Sequence, residues 1–313
     1  MGPLSFVFLA VFLAANAYFA YRASMLVRLA QTTTGPVWSG NRLDRVPERI
    51  STFVANVLGQ KAVLRKKNAG IMHAAIFWGF IIITTETIQN FAWEIHPGFT
   101  FEFIGPTAYS ALVAVQDLFT LAVLVAVLYA YYRRLVVRPE GLGKSKDAII
   151  ILTLTGSLMV SLFTMRAFRQ VAHPEWFDQY EMISGLLARH LVEPVGFSPA
   201  TASAISSAFR WVHHLLVLGF LCYIPSSKHL HVLTAAPNTF LRTLDIPKGM
   251  RKVNLEDENA TSFGVGKVSD LSWKDTLDLY ACTECGRCQD ACPAHNTQKP
   301  LSPKALNPHR WNH

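Results

Sequence analysis

Five stretches of this 313-residue chain, 4–21, 69–85, 109–132, 148–165 and 211–233, are apolar for long enough to cross a bilayer. A hydrocarbon core about 30 Å thick takes about 20 apolar residues in a helix, and an open chain there must satisfy its own amides, so helices are the form expected. The fold class that follows is an all-α membrane protein built on a bundle of five transmembrane helices. Composition agrees, with 51% hydrophobic and 16% charged residues. The first stretch has no basic residue before it, and Arg22 and Arg28 follow where a cleavage site would stand, so it reads as a retained helix rather than a secretory leader.

Basic residues set the expected orientation. Arg42, Arg45, Arg49, Lys61, Arg65, Lys66 and Lys67 lie between the first two spans, and Arg133, Arg134, Arg138, Lys144 and Lys146 between the third and fourth. Segment 86–107 has neither Lys nor Arg, and segment 166–210 mixes Arg169 and Arg189 with Glu175, Asp178, Glu181 and Glu193. The positive-inside rule then puts the amino terminus outside and the carboxyl terminus in the cytoplasm of a bacterial-type inner membrane. The net charge of +8 is absorbed by this topology signal. No aromatic residues interleave the basic ones as in a nucleic-acid groove, so no nucleic-acid partner is expected.

The carboxyl end carries a different chemistry. Cys282, Cys285, Cys288 and Cys292, followed by Pro293, are spaced C-x2-C-x2-C-x3-C-P. That run holds a cubane 4Fe–4S cluster in bacterial-type ferredoxins, and the spacing and the reducing cytoplasm argue against structural zinc or disulfides. The expected organisation is a membrane domain over 1–233, a polar linker over 234–271 and a small ferredoxin-like 4Fe–4S segment over 272–313. Ser272 with Asp275 three positions on predicts a capping box for a short helix delivering Cys282. Residues 44–67 have the apolar pattern of an amphipathic helix on the inner membrane surface, a second such pattern spans 176–191, and Ser198–Pro199 reads as a helix start.

Intramembrane histidines point to a second cofactor. His73 lies on the second span, and His213, His214, His229 and His231 on the fifth. Imidazoles in hydrocarbon need partners, and a buried metal accounts for several together. Eighteen residues separate His213 from His231, five turns of one α-helix and roughly 27 Å along its axis, hence two levels of one bilayer. The second and fifth spans run in opposite directions, so His73 falls level with His229 and His231, and a b-type haem held by His73 and His231, with His229 as the alternative, is expected there. Pro225 is expected to kink the helix between the levels. Glu86 and Asp117, the latter beside Gln116, are carboxylates within spans, which reads either as a quinone or proton site or as pairing of Asp117 with an arginine such as Arg166 or Arg210. Cys222 reads as a small buried apolar residue, and Trp38, Trp93, Trp176 and Trp211 as interfacial anchors.

The segments HAAIFWGF around His73, WVHHLLVLGFLCYIPSSKHLHVLTAAPN on the fifth span and DLYACTECGRCQDACP at the cysteines resemble the membrane-bound iron–sulfur proteins related to heterodisulfide reductase. Their membrane part is similar to the gamma subunit of respiratory nitrate reductase. The resemblance implies electron exchange between a cytoplasmic partner, of electron-transfer flavoprotein or disulfide-reductase type, and the membrane quinone pool through iron–sulfur clusters and b haems. The chain departs from that pattern where Ile83 stands at the place of the gamma subunit's second histidine, which leaves an outer haem at His213 or His214 in doubt. Members of that family continue to a second cysteine motif, so either Cys292 closes the one cube, or it ligates a second cluster and the sequence is the front part of a longer or split protein. The alternative function is a non-catalytic membrane anchor that docks a cytoplasmic iron–sulfur protein.

Overall fold

In the computed structural model, residues 2–35, 37, 41–139, 142, 145–174, 180–245, 256, 258, 265 and 267–306 are described. Five helices are long and apolar enough to cross a membrane: α1 (Pro3–Gln31), α3 (Lys67–Ile95), α4 (Pro106–Tyr132), α5 (Lys146–Ala172) and α7 (Pro199–Tyr223). Short helices fill the rest: α2 (Val46–Phe53), α6 (Met182–Leu187), α8 (His231–Phe240), α9 (Trp273–Ala281), α10 (Arg287–Asp290), α11 (Pro293–Asn296) and α12 (Pro303–Leu306). No strand occurs among the described residues.

Local chemistry explains the boundaries. Pro106 and Pro199 occupy first-turn positions, where a missing N–H costs nothing. Ser145 caps α5 by accepting from Ala148 N. Segment 44–67 is helical over α2 and a π-helical extension, Val54–Leu58, and then turns at 61–65 before α3. Of the expected helix over 176–191, residues 176–179 lie outside the described residues, and the remainder is α6 continued by a π-helical turn, Ala188–Val192.

The fifth span differs from expectation. Its α-helix ends at Tyr223, and Ile224–Ser226 and Lys228–Leu230 are 3-10 turns with Ser227 extended between them. Pro225 does more than kink the helix, because the chain restarts as α8 at His231. The single-helix register that placed His213 and His231 on one face is therefore interrupted. Residues 234–240, expected in the linker, complete α8.

The described chain divides into two units. The first comprises 1–18, 63–139 and 144–223, the second 19–62, 140–143 and 224–313. The first unit is centred on Ile83, Val123, Val127, Met159, Leu162 and Met165, contributed by α3, α4 and α5, with Phe119 and Phe209 packed against them. Between membrane helices there is little hydrophobic drive, so close packing has to hold them, and small residues at crossings permit it. Gly79 of α3 is such a place: a Cβ there would lie 2.2 Å from Val123 Cγ2 of α4. Gly79→Val is expected to destabilise the first unit by about 1–3 kcal/mol through overpacking. Unfolding in lipid nanodiscs measures this, and Val123→Ala in the same chain should restore part of the loss.

Candidate functional site

The cysteine segment is held by contacts within the second unit. Ser272 accepts from Asp275 N (3.2 Å) while Asp275 accepts from Ser272 N (2.9 Å), the expected capping box. It starts α9, whose far end delivers Cys282 in an extended conformation. The chain then turns through two left-handed positions, Glu284 (φ 54°) and Gly286 (φ 79°). Cys288 lies within α10, and Cys292 is the N-cap of α11, with Pro293 at its first position. Cys285 and Cys288 are exposed, Cys282 and Cys292 half-buried. Among the described residues the thiols are not gathered into a three-ligand group, so spacing and donor type carry the fit to an iron–sulfur cluster. Burial pushes the Cys282 thiol above its ordinary range, against a lowering hydrogen bond from the Glu284 backbone. Iron binding would displace that proton, as thiolate ligation requires.

Several bonds anchor α9. Tyr280 Oη donates to Leu26 O (3.0 Å) near the end of α1, and Thr234 Oγ1 of α8 donates to Tyr280 O (3.1 Å). Lys274 Nζ donates to Asn238 of α8 (2.7 Å) and to Asp278 (2.6 Å), and Lys228 Nζ to Glu284 (2.6 Å). Just before α9, Thr34 N and Gly35 N donate to Ser269 O (2.8 Å) and Leu271 O (2.9 Å). A Cβ on Gly35 would lie 2.0 Å from Asp270 O, so this approach requires glycine. The redox segment is thus tied to the end of the first membrane helix.

The candidate haem histidines divide between the units. In the first, His213 and His214 are fully buried on α7. Ser161 Oγ donates to Leu158 O (2.8 Å) and lies 3.0 Å from His213 Nδ1. The hydroxyl proton being spent on Leu158, His213 donates through Nδ1, and Nε2 carries a lone pair with no hydrogen-bond partner among the described residues. Among the described residues neither ring nitrogen of His214 finds a hydrogen-bond partner; Phe8 and Phe91 lie at 5.2 and 5.1 Å, and Glu94 Oε1 is 3.9 Å from Nδ1. Orphaned imidazole nitrogens in a dry core are costly, and metal ligation is one way of satisfying them. His73 also belongs to the first unit, His229 and His231 to the second. His231 Nδ1 donates to Lys228 O (2.7 Å), which makes Nε2 its lone-pair nitrogen, the usual second contact of an iron-ligating histidine. Burial lowers the His231 pKa, partly opposed by that bond, and favours the neutral, ligating form. The His229 ring packs edge-on at 5.3 Å.

Asp117 and Glu86 are both engaged by Arg166, the first-named arginine expected for Asp117. The Arg166 guanidinium, 1% exposed, donates through Nε (2.9 Å) and Nη2 to Glu86 and through Nη1 to Asp117 (3.1 Å) and Thr120 (3.4 Å). Asp117 also accepts from Ile183 N (2.6 Å), Ser184 N (3.3 Å) and Ser184 Oγ (2.6 Å), so it caps the start of α6 from another helix. Next to α6, Glu181 accepts from Arg169 and from Gln170 Nε2 (2.7 Å). Burial would raise the Glu181 carboxyl, but Arg169 and Arg166 hold it below its ordinary range. Arg210 pairs with Glu94 (2.8 Å) and stacks 4.2 Å over Trp93. The Ser161, Ser184 and Ile183 partners leave no trace in the sequence, since a hydroxyl or amide brought in from a distant segment has no periodic signature.

Residues 273–294, which include all four cysteines, match the model of a 4Fe-4S binding domain. The chain is 33% identical over 303 residues to the probable iron-sulfur-binding oxidoreductase FadF of Bacillus subtilis (strain 168), covering 94% of this chain and 42% of that protein. It is 29% identical over 271 residues to the EtfAB:quinone oxidoreductase of Syntrophomonas wolfei subsp. wolfei, covering 84% of this chain and 37% of that protein. A probable membrane-anchored ferredoxin of Chromohalobacter salexigens is 41% identical over 58 residues, 18% of this chain and 8% of that protein. No solved structure matches. The chain spans less than half the length of the curated relatives it matches.

Removing one partner of a buried ion group leaves the others uncompensated, at about 3–5 kcal/mol. Arg166→Met is expected to destabilise the first unit by that order, and adding Glu86→Gln and Asp117→Asn should recover part of it. Thermal unfolding in nanodiscs checks this, and an unchanged Arg166→Met protein would remove the ion group from its structural role. The chain is thus a multi-span membrane polypeptide that carries a 4Fe–4S binding segment and is related to iron–sulfur oxidoreductases.

Proposed function

We propose that this chain is a membrane electron-transfer component of a quinone-linked oxidoreductase. Cys282, Cys285, Cys288 and Cys292 would hold the 4Fe–4S cluster, and His73 and His231 are the residues that would serve as ligands of a b haem. Groups held there would relay electrons between a cytoplasmic redox protein and quinone. The cofactors supply the one-electron chemistry; the chain supplies ligands, position and an environment of low polarity. Quinone takes up two electrons and two protons to become quinol, or releases them in reverse. The observation that carries this reading is the match of the four-cysteine segment to a 4Fe-4S binding domain on a helix bonded to the end of a membrane span. Similarity to an EtfAB:quinone oxidoreductase supports the quinone link and a flavoprotein-type partner.

The orientation proposed is cytoplasmic for the cluster segment, from the basic loops 42–67 and 133–146. His231 is preferred to His229 because its Nδ1–H is already committed to Lys228 O. A second haem at His213 or His214 is supported by their orphaned nitrogens. For Asp117 and Glu86 we propose the structural of their two roles, because Arg166, α6 and Ser184 occupy their oxygens.

Purified protein tests the cofactor assignment. Cys285→Ser is expected to abolish the cubane signal in electron paramagnetic resonance of the reduced protein, and His231→Ala to remove a b-haem absorbance band that His229→Ala retains. Wild-type protein with iron and sulfide but no haem band would support the non-catalytic anchor instead.

A further inference from the structure

Side-chain bonds join the chain around His231 to the chain around Cys282, and they run in order. Asn238 of α8 accepts from Lys274 Nζ (2.7 Å), Thr234 Oγ1 shares its proton between Leu230 O and Tyr280 O (3.1 Å each), and Lys228 Nζ donates to Glu284 (2.6 Å). As the position falls along α8 it rises along α9 and its following loop, so the two segments pair antiparallel. His231 lies midway between Lys228 and Thr234, and Cys282 midway between Tyr280 and Glu284. We propose that Lys228 and Thr234 are positioning residues that clamp the His231 turn against the Cys282 turn, which makes Cys282 the cluster ligand set toward the haem ligand; the proposal rests on the cofactor reading above.

The α8 side of the clamp is one face of a helix. His231, Thr234 and Asn238 follow at steps of three and four residues, the spacing at which side chains neighbour one another along a helix surface. The turn before them is built to fix the imidazole. Ser227, extended, accepts through Oγ from His229 N (3.2 Å) and through its carbonyl from Leu230 N (3.0 Å), and the 3-10 turn so formed aims Lys228 O at His231 Nδ1 (2.7 Å). Lys228 therefore acts twice: its carbonyl orients the ring and its ammonium holds the cysteine loop.

The loop side needs holding. Glu284 stands between Cys282 and Cys285 at φ 54°, in the left-handed region that a residue with a side chain keeps only where its surroundings hold it there. Glycine would take that turn at less cost, so a carboxylate in its place has its use as an anchor. Its bond to Lys228 is charge-assisted and partly withdrawn from solvent, the two side chains being 23% and 21% exposed.

Exposure divides the cysteines the same way. Cys282, inside the clamp, is half-buried, whereas Cys285 and Cys288 are exposed and left for a partner in solution. Groups that orient a ligand from outside also tune the metal it holds, so a clamp spanning both turns acts on both sites at once. Weakening it at the cysteine loop is therefore expected to be felt at His231, on the other side.

The full chain with its cofactors, in nanodiscs, is the test sample. Glu284→Gly keeps the left-handed turn but loses the anchor, and Thr234→Val removes the second bond; both leave the bond from His231 to Lys228 O in place. The ferric haem signal in electron paramagnetic resonance is expected to broaden and shift in each variant, and more in the two combined. Lys228→Met should do the same and Lys228→Arg keep the wild-type signal. Removal of cluster iron by a chelator is expected to quicken about tenfold in the combined variant. Should that variant load no cluster, the exchanged pair Lys228→Glu with Glu284→Lys decides, and it is expected to restore the haem signal that Lys228→Glu alone loses. An unaltered haem signal in Glu284→Gly, Thr234→Val and Lys228→Met, or an exchanged pair no better than Lys228→Glu alone, would overturn the clamp. Wild-type protein with a cluster and no haem would instead overturn the His231 assignment on which it rests.

Discussion

The membrane part depends on one guanidinium. Arg166 brings together Glu86 of α3 and Asp117 of α4 from its place on α5, and through Asp117 it fixes the start of α6. In a medium of low polarity these charges cannot be left alone, so each holds the others in register. Hydrophobicity commits the five helices to the bilayer but says little about which neighbours which, because lipid chains are as apolar as leucine. The ion group supplies the missing specificity, together with the close approach at Gly79.

A second set of constraints fixes the redox segment. An isolated cysteine loop would drift on a flexible linker, and electron transfer falls off with separation. Here α9 is bonded to α1 through Tyr280, to α8 through Thr234 and Lys274, and its following loop to Lys228. The same α8 begins with His231, whose imidazole is oriented by the Lys228 carbonyl. Residues 228–240 thus carry His231 and the attachment of α9 and of the loop that follows it.

Much of this was legible in the sequence. Apolar length alone predicted the five membrane helices, since no other signal of 20 residues competes with it. The Ser272–Asp275 box and the start at Pro199 were read from side-chain chemistry and occur as expected. The continuous fifth helix did not survive, because Pro225 and the capping of Ser227 on His229 N together end one helix and start another, which periodicity cannot register. Arg166 could be proposed as a partner for Asp117, but Glu86 joining it depended on packing 80 residues apart in the chain. The bonds from Arg49 Nη1 to the carbonyls of Phe240 and Arg242 were hidden for the same reason, since backbone acceptors nearly 200 residues away leave no mark in the sequence.

Electron exchange between the cysteine-bound cluster and a lipid-borne quinone tests the account most directly. Reduced protein in nanodiscs should keep its cluster signal indefinitely without oxidant when quinone is absent, and lose it promptly when a long-chain quinone is built into the disc. A cluster that forms on Cys282, Cys285, Cys288 and Cys292 yet stays reduced in the presence of that quinone would contradict it.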